Sequence, residues 1–154
     1  MRAKLVALAS VVLLAVGTVV LAVGGSASAA LSSGHLSGGG TATISQVAMN
    51  VALNGDGSAS GQFECLMAGR SGFVLGAFGL AHNMIVHATP TSGVVAGSVI
   101  TFAGPGRLTM DGTTKMTIHV HVWVDVATQQ FQLVVDEVGA MPVEQMLTGQ
   151  LAFG

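Results

Sequence analysis

Two histidines separated by one residue are the most chemically suggestive feature of the chain. His119 and His121 lie in a segment of alternating apolar and polar residues, and Asp125 continues their polar face. Because side chains at i and i+2 of a strand project from the same face, the two imidazoles are expected about 6–7 Å apart. Imidazole binds both Zn²⁺ and Cu²⁺, and a nearby carboxylate serves as a third ligand or as a hydrogen-bond acceptor for a ligating histidine. The pattern predicts a zinc or copper site at His119, His121 and Asp125; the alternative is a pair of ordinary surface histidines.

Trp123 lies between His121 and Asp125 on the same predicted face. A tryptophan on an otherwise polar face is either exposed or covered by another part of the chain. An exposed aromatic side chain is typical of interaction surfaces, where it contacts a partner protein or a sugar ring. Trp123 is therefore a candidate partner-binding residue. The alternative is that the Gly-rich N-terminal segment or a neighbouring loop covers it.

The sequence contains no recognisable catalytic constellation. It has no G-x-S-x-G motif, and its Gly-rich segments are not followed by the helix that a phosphate-binding loop requires. A pair of acids for glycoside hydrolysis would have to come from five carboxylates: Glu64, Asp125, Asp136, Glu137 and Glu144. Asp136 and Glu137 are adjacent and so point to opposite faces of a strand. We therefore predict no catalytic residues and expect no enzymatic activity.

Charged side chains are few, with five Lys and Arg and seven Asp and Glu in 154 residues. After residue 29 only Arg70, Arg107 and Lys115 are basic, which leaves a formal charge of −4 on that part. An average domain is roughly one quarter charged, so this surface must consist largely of Ser, Thr, Gly, Asn and Gln. Nucleic acid is excluded as a partner because no basic patch is available to bind phosphates.

The first 29 residues have the pattern of a signal peptide. A short basic start precedes an apolar run at residues 5–23, and Ala27-Ser28-Ala29 fits the cleavage pattern, with cleavage after Ala29. The pattern predicts an exported protein that is secreted, periplasmic or associated with the cell envelope. The alternative is an uncleaved anchor, since this run approaches the roughly 20 residues needed to span a bilayer. No later segment is long and apolar enough, so no membrane span is expected after cleavage.

Alternation and turn signals predict strands throughout the remaining chain. Residues 114–126 alternate apolar and polar side chains, as in a strand with one buried face. The N-G-D-G turn signal at residues 54–57 separates two alternating segments and predicts a hairpin. No convincing apolar stripe of helical period is present. The spacing predicts an all-β fold, a single antiparallel barrel or sandwich of about seven to nine strands.

Glycine-rich segments suggest where the domain begins and where its strands end. The Gly- and Ser-rich residues 30–40 are predicted to be a flexible lead-in, with the β-domain at residues 41–154. Residues 94–103 are predicted to form one strand, which the G-P-G sequence at residues 104–106 ends. Residues 73–80 are predicted to form an apolar strand interspersed with glycine.

Cys65 is the only cysteine, which excludes an intrachain disulfide. It alternates with Phe63 and Met67 in a predicted strand, so we predict a small buried side chain. The alternative is a reactive or intermolecular thiol.

Several segments resemble a small Gly-rich β-domain that is common in exported bacterial proteins. The first is G-S-A-S-G-Q-F-E at residues 57–64, which fits the G-x-A-S-G-Q-[FL] pattern of that family. Three others are similar to its later strands: residues 99–106, 131–136 and 147–151. The likeness covers most of residues 38–154. It implies an exported β-domain without an assigned activity, because none is established for the family.

These observations lead us to expect an exported, non-catalytic β-domain that acts as a binding or structural module. Its partner would be a protein, a glycan or a small apolar ligand. One alternative is a metal-binding protein that uses the His-x-His strand site, and no cofactor is expected besides the zinc or copper of that alternative. The other alternative is a carrier of a small apolar ligand, because several methionines could line a barrel interior: Met49, Met67, Met110 and Met116.

Overall fold

The computed structural model describes residues 32–69 and 83–154. Within these ranges the chain forms eleven strands and no helix, and so no helical segment there could cross a bilayer. The strands are β1 (Gly34–Thr41), β2 (Gln46–Leu53), β3 (Ala59–Met67), β4 (Met84–Ala88), β5 (Ser92–Ala96), β6 (Val99–Met110), β7 (Thr113–Asp125), β8 (Gln130–Val135), β9 (Gly139–Ala140), β10 (Glu144–Gln145) and β11 (Gln150–Phe153). The predicted signal peptide at residues 1–29 and the predicted strand at residues 73–80 lie outside the described residues.

All the strands belong to one antiparallel sheet that curls into a half-barrel. Its nine-strand path follows the order β10-β8-β7-β6-β4-β3-β2-β1-β11, with β5 paired to β6 and β9 paired to β8. β10 and β11 lie close together in the chain, so the C-terminal segment pairs with β8 at one end of the sheet and with β1 at the other. The prediction of an antiparallel all-β fold is confirmed, with a single curled sheet in place of two stacked ones.

Alternation along β7 separates a buried face from an exposed one. From residue 118 onwards, every second side chain is apolar, enters the core and is at most 2% exposed: Ile118, Val120, Val122 and Val124. Between them, His119 and His121 are exposed and Trp123 is half-buried. Because successive side chains of a strand point to opposite faces, core packing of β7 fixes the side on which these three residues project.

Cys65 lies in the core, as predicted, with no exposed surface. Burial raises the pKa of its thiol to about 12, and a hydrogen bond with Ser45 opposes that shift only in part. The thiol therefore stays protonated at neutral pH, and the thiolate is the form that reacts with electrophiles and metals. Cys65 contributes to packing and not to chemistry.

The structure corrects the predicted flexible lead-in, because Gly34–Thr41 forms β1. This strand pairs with β2 on one side and with β11 on the other. Gly38 and Gly40 have φ values of 138° and 153°, and a Cβ at either would collide with the carbonyl oxygen of Gln150 or Thr148. The glycines therefore allow close backbone approach within the sheet, and they do not indicate flexibility here.

The structure also corrects the predicted strand break at residues 104–106. β6 continues through this sequence and pairs with β7 on one edge along its length. On its other edge it pairs first with β5 and then with β4, and Pro105 lies at the junction between those two strands. There Thr89 donates its N–H to the Pro105 carbonyl at 2.9 Å. The backbone N and O of one strand residue point to the same side of the strand, so the nitrogen of Pro105 also faces the junction and not β7. The N–H that proline lacks is therefore not missing from the β6–β7 hydrogen bonds.

Candidate metal centre

The hairpin of β7 and β8 brings a carboxylate next to the two histidines. Their pairing ends with Val120 opposite Val135, and the next position places His119 opposite Asp136. Asp136 extends the ladder by donating its N–H to the His119 carbonyl at 3.0 Å. His121 lies opposite Val134, which makes Asp136 its diagonal neighbour on the same face.

His119, His121 and Asp136 form a compact group on the outer face of the sheet. The distance from His119 Nδ1 to Asp136 Oδ2 is 3.5 Å, and that from His121 Nε2 to Asp136 Oδ1 is 3.4 Å. One ligand atom from each of the three residues can be chosen so that all lie within 4.8 Å of one another. The two imidazole centroids are 5.4 Å apart. All three side chains are about half exposed, at 47%, 55% and 48% respectively.

These separations suit a divalent metal ion. Zinc bonds of about 2.0–2.2 Å in a tetrahedral site place neighbouring ligand atoms roughly 3.3–3.6 Å apart. Each imidazole lies in that range from one oxygen of Asp136, His119 from Oδ2 and His121 from Oδ1. Two imidazole nitrogens with one carboxylate are suitable ligands for Zn²⁺ and for Cu²⁺. Three protein ligands leave at least one coordination position for water or another molecule.

Asp125, the third ligand predicted from the sequence, is not brought to the histidines. It lies four residues from His121 along β7, about 13 Å at the usual rise of a strand. Its carboxylate accepts hydrogen bonds from the Ala127 N–H at 3.0 Å and the Thr128 hydroxyl at 2.9 Å. Hydrogen bonds from Ser98 first, and then from these turn residues, lower the pKa of Asp125. Asp125 therefore holds the turn between β7 and β8.

Sequence reasoning missed Asp136, although the hairpin contains a signal for it. The predicted strand at residues 114–126 implies a turn at residues 127–130 before the next strand, and that turn would pair residue 121 with residue 136. The turn instead occupies residues 126–129, which shifts the register so that residue 119 faces Asp136. Either register places Asp136 beside the His-x-His pair, so continuing the predicted pairing past the end of β8 would have identified it.

Glu137 supports the backbone at the site. Both of its carboxylate oxygens accept the backbone N–H of His119 at 3.1 Å. This N–H lies where the regular β7–β8 pairing ends, so Glu137 provides the acceptor that the ladder no longer supplies. The contact stabilises the backbone position from which the His119 side chain projects.

Trp123 is half-buried on the same outer face, between its cross-strand neighbours Thr101 and Gln132. It lines an open groove of about 310 Å³ together with Val94, Thr101, His121 and Val134. His121 belongs both to this groove and to the group around Asp136. The predicted partner-binding residue therefore lies next to the candidate metal ligands.

The four methionines that could line the interior of a ligand carrier differ in burial. Met49, Met67 and Met110 are at most 4% exposed and belong to the continuous core. Met116, near the start of β7, is 37% exposed.

A second polar cluster lies on the outer face of β3, β4 and β6. His87 Nδ1 is 3.1 Å from Glu64 Oε2, and Arg107 lies beside His87 across the β4–β6 pairing. These residues line an open depression of about 510 Å³. Among the residues that the structure describes, only the group of His119, His121 and Asp136 gathers three side chains able to ligate one metal ion.

Comparison of the chain with protein-family models, with curated proteins and with solved structures found no match. The fold and the geometry of the site are therefore the basis for assigning a function. The resemblance to a Gly-rich exported β-domain stays a prediction.

Proposed function

We propose that this protein is a metal-binding β-domain that holds one zinc or copper ion at His119, His121 and Asp136. The observation that carries the proposal is the position of one carboxylate 3.4–3.5 Å from a nitrogen of each imidazole. The ion would replace these direct contacts with bonds to all three side chains. The protein would act as an exported, non-catalytic binding module, as its signal-peptide pattern and lack of catalytic motifs suggest.

Rigidity and composition support metal binding at this place. The two histidines project from β7, whose opposite face is packed in the core, and a site on such an element is held more precisely than one on loops. Asp136 directly follows β8, and its backbone N–H is bonded to the His119 carbonyl. Cys65 is buried and protonated, so histidine and carboxylate groups are the ligands that the described surface offers. The site is exposed, which allows an ion to enter and leave.

A zinc titration of two matched aspartate variants tests this proposal. We expect the wild-type protein to bind one Zn²⁺ with a dissociation constant in the micromolar range, about −8 kcal/mol. Asp136→Asn should weaken zinc binding at least about tenfold, because it removes the anionic ligand. Loss of a residue that only hydrogen bonds to a metal ligand typically lowers metal affinity 10–100-fold, so loss of a ligand should cost no less. Asp125→Asn should leave zinc affinity unchanged, since Asp125 contacts the hairpin turn instead. Competition with a chromogenic chelator measures all three affinities.

Both variants make the same chemical change on the same hairpin, so a difference in their zinc affinities must come from the positions of the two aspartates. Equal weakening by the two substitutions would show that general charge, and not the geometry at Asp136, attracts the ion. A wild-type protein that binds no zinc and no copper would refute the proposal.

A further inference from the structure

The groove at Trp123 extends directly from the proposed metal centre. Along β7, His121 and Trp123 are two residues apart on the same face, so their side chains are about 6–7 Å apart. On β8, Val134 lies opposite His121 and precedes Asp136 by two residues. A molecule bound to the metal beside His121 would therefore extend over Val134 and Trp123.

The groove walls are mainly apolar, and their polar side chains are Ser92, Thr101 and His121. Val94, which is 42% exposed, lines the groove together with Ala103, Val134 and Trp123. Among the described residues that line it, none carries a carboxylate, ammonium or guanidinium group. Its volume of about 310 Å³ is near the lower limit of ligand pockets, which range over roughly 300–1,000 Å³. These properties fit a small apolar group and not a sugar, whose hydroxyls would find few partners.

The charge of the metal centre defines the other end of the ligand. A divalent ion with two neutral imidazoles and Asp136 carries a net charge of +1. Glu137 is held on the backbone N–H of His119, at the end of the site away from Trp123. One negative charge on the ligand would neutralise the centre, whereas a phosphate or dicarboxylate would bring excess charge that the described groove residues could not balance, since none of them is basic.

We infer that the metal centre and the groove together form a binding site for a small monocarboxylate with an apolar tail, an inference that rests on the proposed metal binding. The carboxylate occupies the open coordination position of the metal. The tail lies along Val134 and Trp123, where burial of apolar and aromatic surface adds affinity. Neither half of the site alone provides both interactions.

Calorimetry with 3-phenylpropionate on the full, zinc-loaded protein tests the inference, after zinc binding has been measured separately. We expect saturable binding of 3-phenylpropionate that requires zinc. Two control ligands, 3-phenylpropanol without the charge and acetate without the tail, should each bind at least about tenfold more weakly, because each retains only one of the two interactions. The intrinsic fluorescence should change on binding, since Trp123 is the only tryptophan and the chain has no tyrosine.

Two variants of the groove make the result specific. Trp123→Leu and Val94→Glu should each weaken 3-phenylpropionate binding about tenfold, the first by removing aromatic contact and the second by adding a negative charge. Zinc affinity should be unchanged in Trp123→Leu and no weaker in Val94→Glu, whose added carboxylate attracts the cation, and retained zinc binding also shows that the hairpin is folded. The inference is overturned if the protein binds zinc but shows no saturable binding of 3-phenylpropionate. It is also overturned if 3-phenylpropionate binds with the same affinity to the wild type and to both variants. Either result leaves the metal proposal standing. Failure to bind zinc overturns both.

Discussion

Replacing Glu144 with alanine is expected to lower the free energy of unfolding by about 3 kcal/mol or more. Glu144 is 1% exposed, and its carboxylate accepts hydrogen bonds from the backbone N–H groups of Ile44 and Ser45 at 2.9 and 3.0 Å. The Ser45 hydroxyl donates to the same carboxylate at 2.9 Å. Hydrogen bonds to charged groups contribute about 1.5–3 kcal/mol each, and donors left buried without a partner cost more than the bond itself contributes.

The position of these contacts explains why the effect should be global. They join β10 to the turn between β1 and β2, about 100 residues earlier in the chain. β10 pairs with β8, so Glu144 connects the two ends of the curled sheet. Its loss should destabilise the closing contacts of the whole sheet and not only one turn.

Denaturant unfolding followed by Trp123 fluorescence measures this effect. The matched control is Glu64→Ala, the same substitution at a glutamate whose side chain is 49% exposed and pairs with His87. Exposed ion pairs contribute about 0–1 kcal/mol, so the control should unfold close to wild type. If Glu144→Ala and Glu64→Ala had equal effects, the buried carboxylate would not have the structural role assigned to it.

Removing both imidazoles, in the double variant His119→Ala/His121→Ala, is expected to weaken zinc binding by more than roughly 100-fold. The double variant retains a single carboxylate of the proposed three ligands. Loss of a mere hydrogen-bond partner of a ligand typically costs 10–100-fold in metal affinity, and loss of two ligands must cost more. Because both side chains are about half exposed, their removal should change the free energy of unfolding by less than about 1 kcal/mol.

His35 provides the control for this variant. It is also exposed, and its Nε2 hydrogen bonds to Asn50 Oδ1 at 2.8 Å on the β1–β2 pair, away from the β7–β8 hairpin. His35→Ala should leave zinc affinity unchanged when the same chelator competition is used. Retention of micromolar affinity in the double variant would place the ion elsewhere and contradict the proposed site.

Local pattern was enough to predict the features that depend on one strand or one hairpin. The alternation of β7 correctly separated the buried valines from the exposed histidines, because the period of a strand determines which residues share a face. The N-G-D-G sequence correctly marked the β2–β3 turn. There Asp56 accepts hydrogen bonds from both the N–H and the hydroxyl of Ser58, which lower its pKa.

Features that depend on distant neighbours could not be predicted from local pattern. Gly38 and Gly40 resemble linker residues until the approach of β11, more than 100 residues later, explains them. Glu144 resembles any polar residue until its partners at the β1–β2 turn are known. Pro105 is tolerated because two other strands end beside it. A two-residue turn with Gly97 at a φ of 66° divides residues 94–103 between β5 and β6, which corrects the single strand predicted there.

The candidate site was predictable in part. The His-x-His spacing identified two of the three side chains from strand period alone, whereas the third lies beyond the end of the neighbouring strand and is found only from the hairpin pairing. Asp125 and Asp136 are both acidic residues near the histidines in sequence. Only the pairing of β7 with β8 determines that Asp136 is the neighbour across the sheet.

Anomalous diffraction from a zinc-loaded crystal is the sharpest test of metal binding at the β7–β8 hairpin, because it locates the ion without relying on substitutions. We expect one zinc peak at about 2.0–2.2 Å from His119 Nδ1, His121 Nε2 and an oxygen of Asp136. A zinc peak at other residues, such as Glu64 and His87, with none at the β7–β8 hairpin, would contradict it.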